Sequence, residues 1–340
     1  MPDAVVLGGG GFIGRGLVRA LLDRGQTVRV VSRSAKPGRY TEEGLSLVGG
    51  DVSSPQDMLT AVDGASVVYQ LTTGGGNDWS DFERDFLHGV RNVAEACLAH
   101  RVSRLVYASS IAALYLGDQR TIDERAGLDP QPRKRGMYAR AKIEAEKILT
   151  TLRASRGLPY VVVRPGVVMG GGGLLSHSGV GYWAADTRCL GWGGGTNPLP
   201  FVLVEDVVSA MVAAGNVAGI DGMAFNLAGD QRPTAQAFVA EISRRSYRDF
   251  QFYPQSLIKM QAIEIFKWLM KVAARKPGNS FPPYRDLKSR GLVSYLDCSA
   301  AKEKLGWRPN TSLERFYMEA IDAHLKPIPP GDLRLTARAH

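Results

Sequence analysis

The strongest constraint on this chain is the run Val5-Val6-Leu7-Gly8-Gly9-Gly10-Gly11-Phe12-Ile13-Gly14 near its N-terminus. Three apolar residues, two of them β-branched, predict a short buried strand. The four consecutive glycines let the backbone turn sharply and come close to a ligand. Leu17, Val18, Leu21 and Leu22 then follow at the spacing of an amphipathic helix. Strand, turn and helix together place free N–H groups and the positive end of a helix dipole where a pyrophosphate could sit. Gly25 reads as a helix stop and Val28-Arg29-Val30-Val31 as a second buried strand, which completes one βαβ unit of dinucleotide-binding length.

After that second strand, NAD-preferring proteins keep an acidic residue for the ribose hydroxyls. This chain has Ser32-Arg33-Ser34 instead. A cation in place of an acid accommodates a 2′-phosphate, so NADP is the expected cofactor, with NAD as the alternative. Val67-Val68-Tyr69-Gln70-Leu71 predicts a further strand that ends at Thr72-Thr73-Gly74-Gly75-Gly76. A helical pattern runs from Asp85 to His100, and Leu105-Val106-Tyr107-Ala108-Ser109-Ser110 predicts another buried strand with hydroxyls at its C-terminal edge. In an open parallel sheet that edge is where ligands bind.

The next helix carries the chemistry. Tyr138 and Lys142 stand four apart in Met137-Tyr138-Ala139-Arg140-Ala141-Lys142-Ile143-Glu144-Ala145-Glu146-Lys147, hence on one helix face. A phenol that exchanges a proton with a carbonyl or alcohol oxygen is too weak an acid on its own at neutral pH. An ammonium nearby stabilises the phenolate, and the expectation is therefore a Tyr138 pKa lowered by Lys142.

Taken together, these segments resemble an extended short-chain dehydrogenase/reductase of the NAD-dependent epimerase/dehydratase type, near the 3-beta-hydroxysteroid dehydrogenase and dihydroflavonol reductase branch. Gly8, Gly11 and Gly14 keep the GxxGxxG spacing of that superfamily, whose close members have TGxxGFxG. The likeness covers most of residues 4 to 320. It continues through Val163-Arg164-Pro165-Gly166, Phe201-Val202-Leu203-Val204-Glu205-Asp206-Val207, Phe225-Asn226-Leu227-Ala228-Gly229 and Lys304-Leu305-Gly306-Trp307-Arg308-Pro309.

The resemblance implies an α/β fold: a Rossmann-type doubly wound parallel sheet with a smaller C-terminal substrate-binding portion. It implies that Ser110, Tyr138 and Lys142 are catalytic, with Ser109 as the alternative hydroxyl. Gly8, Gly11, Phe12, Ile13, Gly14, Ser32, Arg33, Asp51, Val52, Leu71, Thr72, Thr73, Tyr138, Lys142, Pro165, Gly166 and Val167 would hold the cofactor, with Asp51-Val52 at the adenine. No metal is implied. The expected domains are residues 1–166, completed by 201–228, for the cofactor; 167–200 and 229–326 for the substrate; and a disordered tail over 327–340.

The expected reaction is hydride transfer between a secondary alcohol and a ketone on a lipophilic or glycosyl small-molecule substrate. A nucleotide-sugar epimerase with tightly bound NAD is the enzyme alternative, and a non-catalytic NADP-sensing or assembly protein the other. Pro165-Gly166 where nucleotide-sugar enzymes often have Asn, and Ile111 where dehydratases often have an acid, favour the plain oxidoreductase. Arg133-Lys134-Arg135, just before Tyr138, could meet a diphosphate, although a solvated basic loop is the favoured reading.

The net charge of +9 comes without a long basic run interleaved with aromatics, so no nucleic-acid partner is expected. Cys97, Cys189 and Cys298 are odd in number and far apart, and no leader or membrane-length apolar run is seen; a cytoplasmic protein is expected. Leu257 to Ala274 stands out as a helix apolar almost all round, too often broken by charge to span a bilayer. Three placements suit it: burial in the monomer or a homodimer, a lid over an apolar substrate, or peripheral membrane contact through residues 257–276.

Overall fold

The computed structural model describes residues 1–33, 42–75, 78–275 and 281–325. Ser34, Gly76, Lys276 and the tail expected at 327–340 therefore lie outside the described residues.

Among the described residues, seven strands form the main sheet: β1 (Ala4–Leu7), β2 (Val28–Ser32), β3 (Leu45–Gly49), β4 (Val67–Gln70), β5 (Arg104–Ala108), β6 (Tyr160–Pro165) and β7 (Ala224–Leu227). Their order is β7-β6-β5-β4-β1-β2-β3, and every neighbouring pair is parallel. Parallel strands need crossover helices, and these cover both faces. The strands alternate with period two. Val5, Leu7, Val68, Leu105, Tyr107 and Val162 point into one core, and Val6, Val30, Tyr69, Val106, Val161 and Val163 into the other.

Helices α1 (Phe12–Leu22) and α5 (Val204–Asn216) supply Leu17, Leu21, Val207 and Met211 to the second core. Helices α2 (Pro55–Val62), α3 (His88–Ala99) and α4 (Met137–Arg156) supply Met58, Val90, Val93, Ala141, Ala145 and Leu149 to the first. This three-layer arrangement is the expected doubly wound fold, and its strand order reverses between β1 and β4. That switch point opens a crevice at the strands' C-terminal ends.

Smaller pairings stand apart from the main sheet. Val167–Met169 pairs with Phe201–Leu203, and Gly181–Ala185, Arg188–Gly191 and Gln251–Tyr253 form three strands. A separate core gathers Phe201, Phe238 and Phe316, whose rings lie 4.8 to 6.2 Å apart. The last long helix, α6 (Leu257–Ala273), has no buried residue. Its expected burial within the monomer is therefore overturned: one side is partly covered, but none of the helix is buried among the described residues.

Candidate active site

Gly8 ends β1 at φ +86°, a backbone region that side chains rarely adopt, with its turn packed on the Leu71–Thr72 backbone at the end of β4. A Cβ on Gly14 would lie 2.2 Å from the Gly8 carbonyl oxygen, so helix and turn meet at a distance only glycine allows. Gly11 caps α1 with no side-chain hydrogen bond, and the first turn holds no acid. Above Gly10 there is open space. This cradle suits a pyrophosphate: free N–H groups, a positive dipole end and no competing carboxylate. Phe12 and Ile13 offer the ligand only backbone, because the Phe12 ring packs on Gly173 and Ile13 on the core.

Ser32 closes β2, beside β1, and Arg33 follows it, exposed. Asp51 follows β3, and the Ser53 amide and hydroxyl hold its carboxyl below the usual range, with help from the field of Arg33. The Asn92 side chain ties this loop to α3 by donating to the Val52 and Ser53 carbonyls. Thr72 accepts from the Gln70 amide at 3.4 Å, and Thr73 is exposed beyond it. Pro165 closes β6. The Gly166 backbone runs so close to Pro200 that a Cβ would lie 2.0 Å from its carbonyl oxygen, and Val167 is buried. The cofactor residues taken from the resemblance thus gather along one edge of the sheet.

The acid–base candidates meet at the end of β5. Ser110 caps a short turn over Ile111–Ala113 and accepts the Ala112 N–H at 3.2 Å. Its hydroxyl also interacts with the Tyr138 phenol. Ser109 is not equivalent: buried, it donates to Glu146. Tyr138 as a whole is 45 % exposed, with its phenol the more buried part.

Lys142, 2 % exposed, donates to the Ala108 carbonyl at 2.8 Å and the Tyr107 hydroxyl at 3.4 Å. Its Nζ stands 5.9 Å from the Tyr138 ring centre and 5.0 and 5.2 Å from those of Tyr107 and Phe86. Burial among these groups depresses its pKa to about 7, while Glu146 pulls the other way. The expectation for Tyr138 is corrected here. Desolvation raises its phenol and the Ser110 hydroxyl acts to lower it, while the Lys142 ammonium is bonded to the Ala108 carbonyl.

Beneath these residues lies a pair that sequence reasoning missed. Arg164 on β6 grips Glu146 on α4 through Nε at 3.0 Å and Nη2 at 2.7 Å, both side chains almost wholly buried. Arg164 Nη1 has no hydrogen-bond partner among the described residues. Glu146 stands four residues beyond Lys142 on the same helix face, which was the available signal.

The basic trio before Tyr138 divides: Arg133 and Lys134 are exposed, as in a solvated loop, and only Arg135 departs from that reading. Arg135 is buried against Asp129 at 2.7 Å and Asp286 at 3.4 Å. Arg133 and Lys134 line a groove of about 960 Å³ with Arg91, Arg140 and Lys147, on the α4 face turned away from Tyr138. They do not approach the sheet edge where a cofactor would lie.

Comparison with known proteins agrees with this geometry. The sequence model of the NAD dependent epimerase/dehydratase family matches residues 4–228. The 2-alkyl-3-oxoalkanoate reductase of Stenotrophomonas maltophilia is 33% identical over 174 residues, which are 49% of this chain and 51% of that protein. A 3beta-hydroxysteroid-dehydrogenase/decarboxylase of Arabidopsis thaliana is 26% identical over 348 residues, 92% of this chain and 59% of that one. The chain thus spans about half the length of the first curated relatives it matches. Among solved structures, the UDP-glucuronic acid 4-epimerase of Bacillus cereus in complex with NAD superposes with a TM-score of 0.71 at 18% identity, over 94% of this chain and 97% of that one, which shows the shared fold. Among the described residues, no helix is long and apolar enough to cross a membrane.

Proposed function

This chain belongs to the NAD dependent epimerase/dehydratase family, and on that footing we propose that it is an NADP-preferring oxidoreductase interconverting a secondary alcohol and a ketone. The observation that carries the reading is the meeting of Ser110, Tyr138 and Lys142 at the end of β5, beside the glycine cradle. Gly8, Gly11, Gly14, Arg33 and Gly166 would hold the dinucleotide, whose nicotinamide supplies or takes the hydride. Tyr138 exchanges a proton with the substrate oxygen, and Ser110 orients that oxygen by hydrogen bonding. Lys142, fixed by Ala108 and Tyr107, sets the charge beneath the phenol. Recognition of the substrate falls to residues 167–200 and 229–326, and a lipophilic substrate accords with the reductase and hydroxysteroid dehydrogenase relatives.

A second reading, a nucleotide-sugar epimerase, is favoured by one observation: solved enzymes of that kind superpose over nearly their whole length. The two differ in what the protein retains on purification. An empty site that NADPH fills and that consumes NADPH with a ketone panel supports the oxidoreductase. Retained NAD with no net turnover of added cofactor supports the epimerase and overturns the first reading.

A further inference from the structure

Helix α6 has 17 residues, about 25 Å of length. The Ser256 side chain accepts the Lys259 N–H and fixes its start. One side meets the body: the Gln261 amide donates to the Pro282 carbonyl at 2.7 Å, and Trp268 meets Phe281 edge-on at 5.3 Å. Leu257, Met260 and Ile265 are partly covered. The other side is exposed among the described residues. Ile258 is 74% exposed, Phe266 63%, Met270 58%, Ile263 53% and Leu269 51%.

With 3.6 residues per turn, these five side chains, with Ala262 and Ala273 among them, fall within one arc of about 140°, which Lys259 enters only at the first turn. Scattered exposed apolar residues are ordinary on a soluble protein, whereas a continuous face of this kind marks an interaction surface. Its charges are one-sided. Lys267 and Lys271 run along one edge, Lys259 stands in the first turn and Arg275 just past the end. The single acid of the helix, Glu264, is bonded to Lys267 at 2.8 Å.

We propose that α6 docks the protein on anionic lipid bilayers, lying in the interface plane. Phe266, Leu269 and Met270 enter the boundary of the acyl chains while Lys259, Lys271 and Arg275 meet the headgroups. A cationic rim around an apolar face is complementary to a negatively charged surface. Two copies packed through this face would instead bring their cations together, Lys259 against Lys259 in a parallel pair or against the Lys271–Arg275 end in an antiparallel one. The inference is independent of the reaction assigned above.

The test is sedimentation of the full chain with vesicles of equal parts phosphatidylcholine and phosphatidylglycerol, with phosphatidylcholine alone as control. The protein should pellet with the anionic vesicles at low salt and be released by salt. Phe266→Asp with Leu269→Asp should lower partitioning by at least about tenfold, because a charge would then sit in the apolar boundary. Lys271→Gln should lower it about fivefold, the equivalent of about 1 kcal/mol per surface cation. All these residues are exposed, so the variants should keep their melting temperature and NADPH affinity, which separates docking from misfolding. Wild-type protein that stays in the supernatant at low salt overturns the proposal. So does a wild-type dimer that the double substitution turns into a monomer without any vesicle binding.

Discussion

Replacing Lys142 by Met should make the free protein more stable while removing its activity. The ammonium is 2 % exposed, and burial depresses its pKa from 10.5 to about 7. At 1.36 kcal/mol per pH unit, that depression amounts to a penalty of about 5 kcal/mol for carrying the charge into the fold. The sign follows from proton counting. Below pH 7 both states hold the proton and the penalty is complete. Between pH 7 and 10.5 the unfolded chain binds more protons than the native one, so stability rises with pH and the penalty fades. Methionine carries no charge into the core, but it leaves the Ala108 carbonyl without the 2.8 Å donor, at a cost of about 1–3 kcal/mol. The net gain at pH 6 should therefore be roughly 2 kcal/mol or more and should shrink towards pH 10. Urea unfolding of the cofactor-free protein at the two pH values measures it. A variant less stable than wild type at pH 6, or a gain that does not depend on pH, would refute the reasoning.

Three further outcomes follow from the same structure. Gly14→Ala drives a Cβ to 2.2 Å from the Gly8 carbonyl oxygen, so a fluorescence titration should show NADPH affinity falling at least about tenfold through displacement of the turn, whereas Gly10→Ala, facing open space, should leave the melting temperature unchanged. Glu146→Gln leaves Arg164 buried without its counter-charge and should cost about 3–5 kcal/mol in urea unfolding; a change below about 1 kcal/mol would contradict it. Arg33→Asp should reverse the order of NADPH and NADH affinities, because a 2′-phosphate would then face a like charge, and equal affinities in the unmodified protein would contradict the assignment.

The sheet was legible in the sequence because its physics is local. The runs Val5–Leu7 and Leu105–Ala108 are apolar on both faces, as parallel strands between helix layers must be. The Gly8 turn and the Tyr138–Lys142 spacing announce themselves over a few residues. What was not legible depends on partners far along the chain. Lys142 turns to Ala108 because Phe86 and Tyr107 enclose its Nζ, and no spacing rule reports that enclosure. Arg135 reads as a solvated loop cation until Asp286, far along the chain, reaches it. Periodicity marked the apolar face of α6, but whether anything covers a face is decided by the packing of the rest of the molecule.

The central claim is that Tyr138 exchanges the proton at a substrate oxygen. It is tested most directly by comparing NADPH oxidation by wild-type and Tyr138→Phe protein on a ketone that the wild type reduces, with NADPH affinity measured alongside. The aromatic ring remains and the hydroxyl with its exchangeable proton goes. Turnover should fall by roughly 10²–10⁴-fold while the NADPH dissociation constant stays within about twofold. Full turnover in Tyr138→Phe, on the same ketone and at the same pH, would contradict the account.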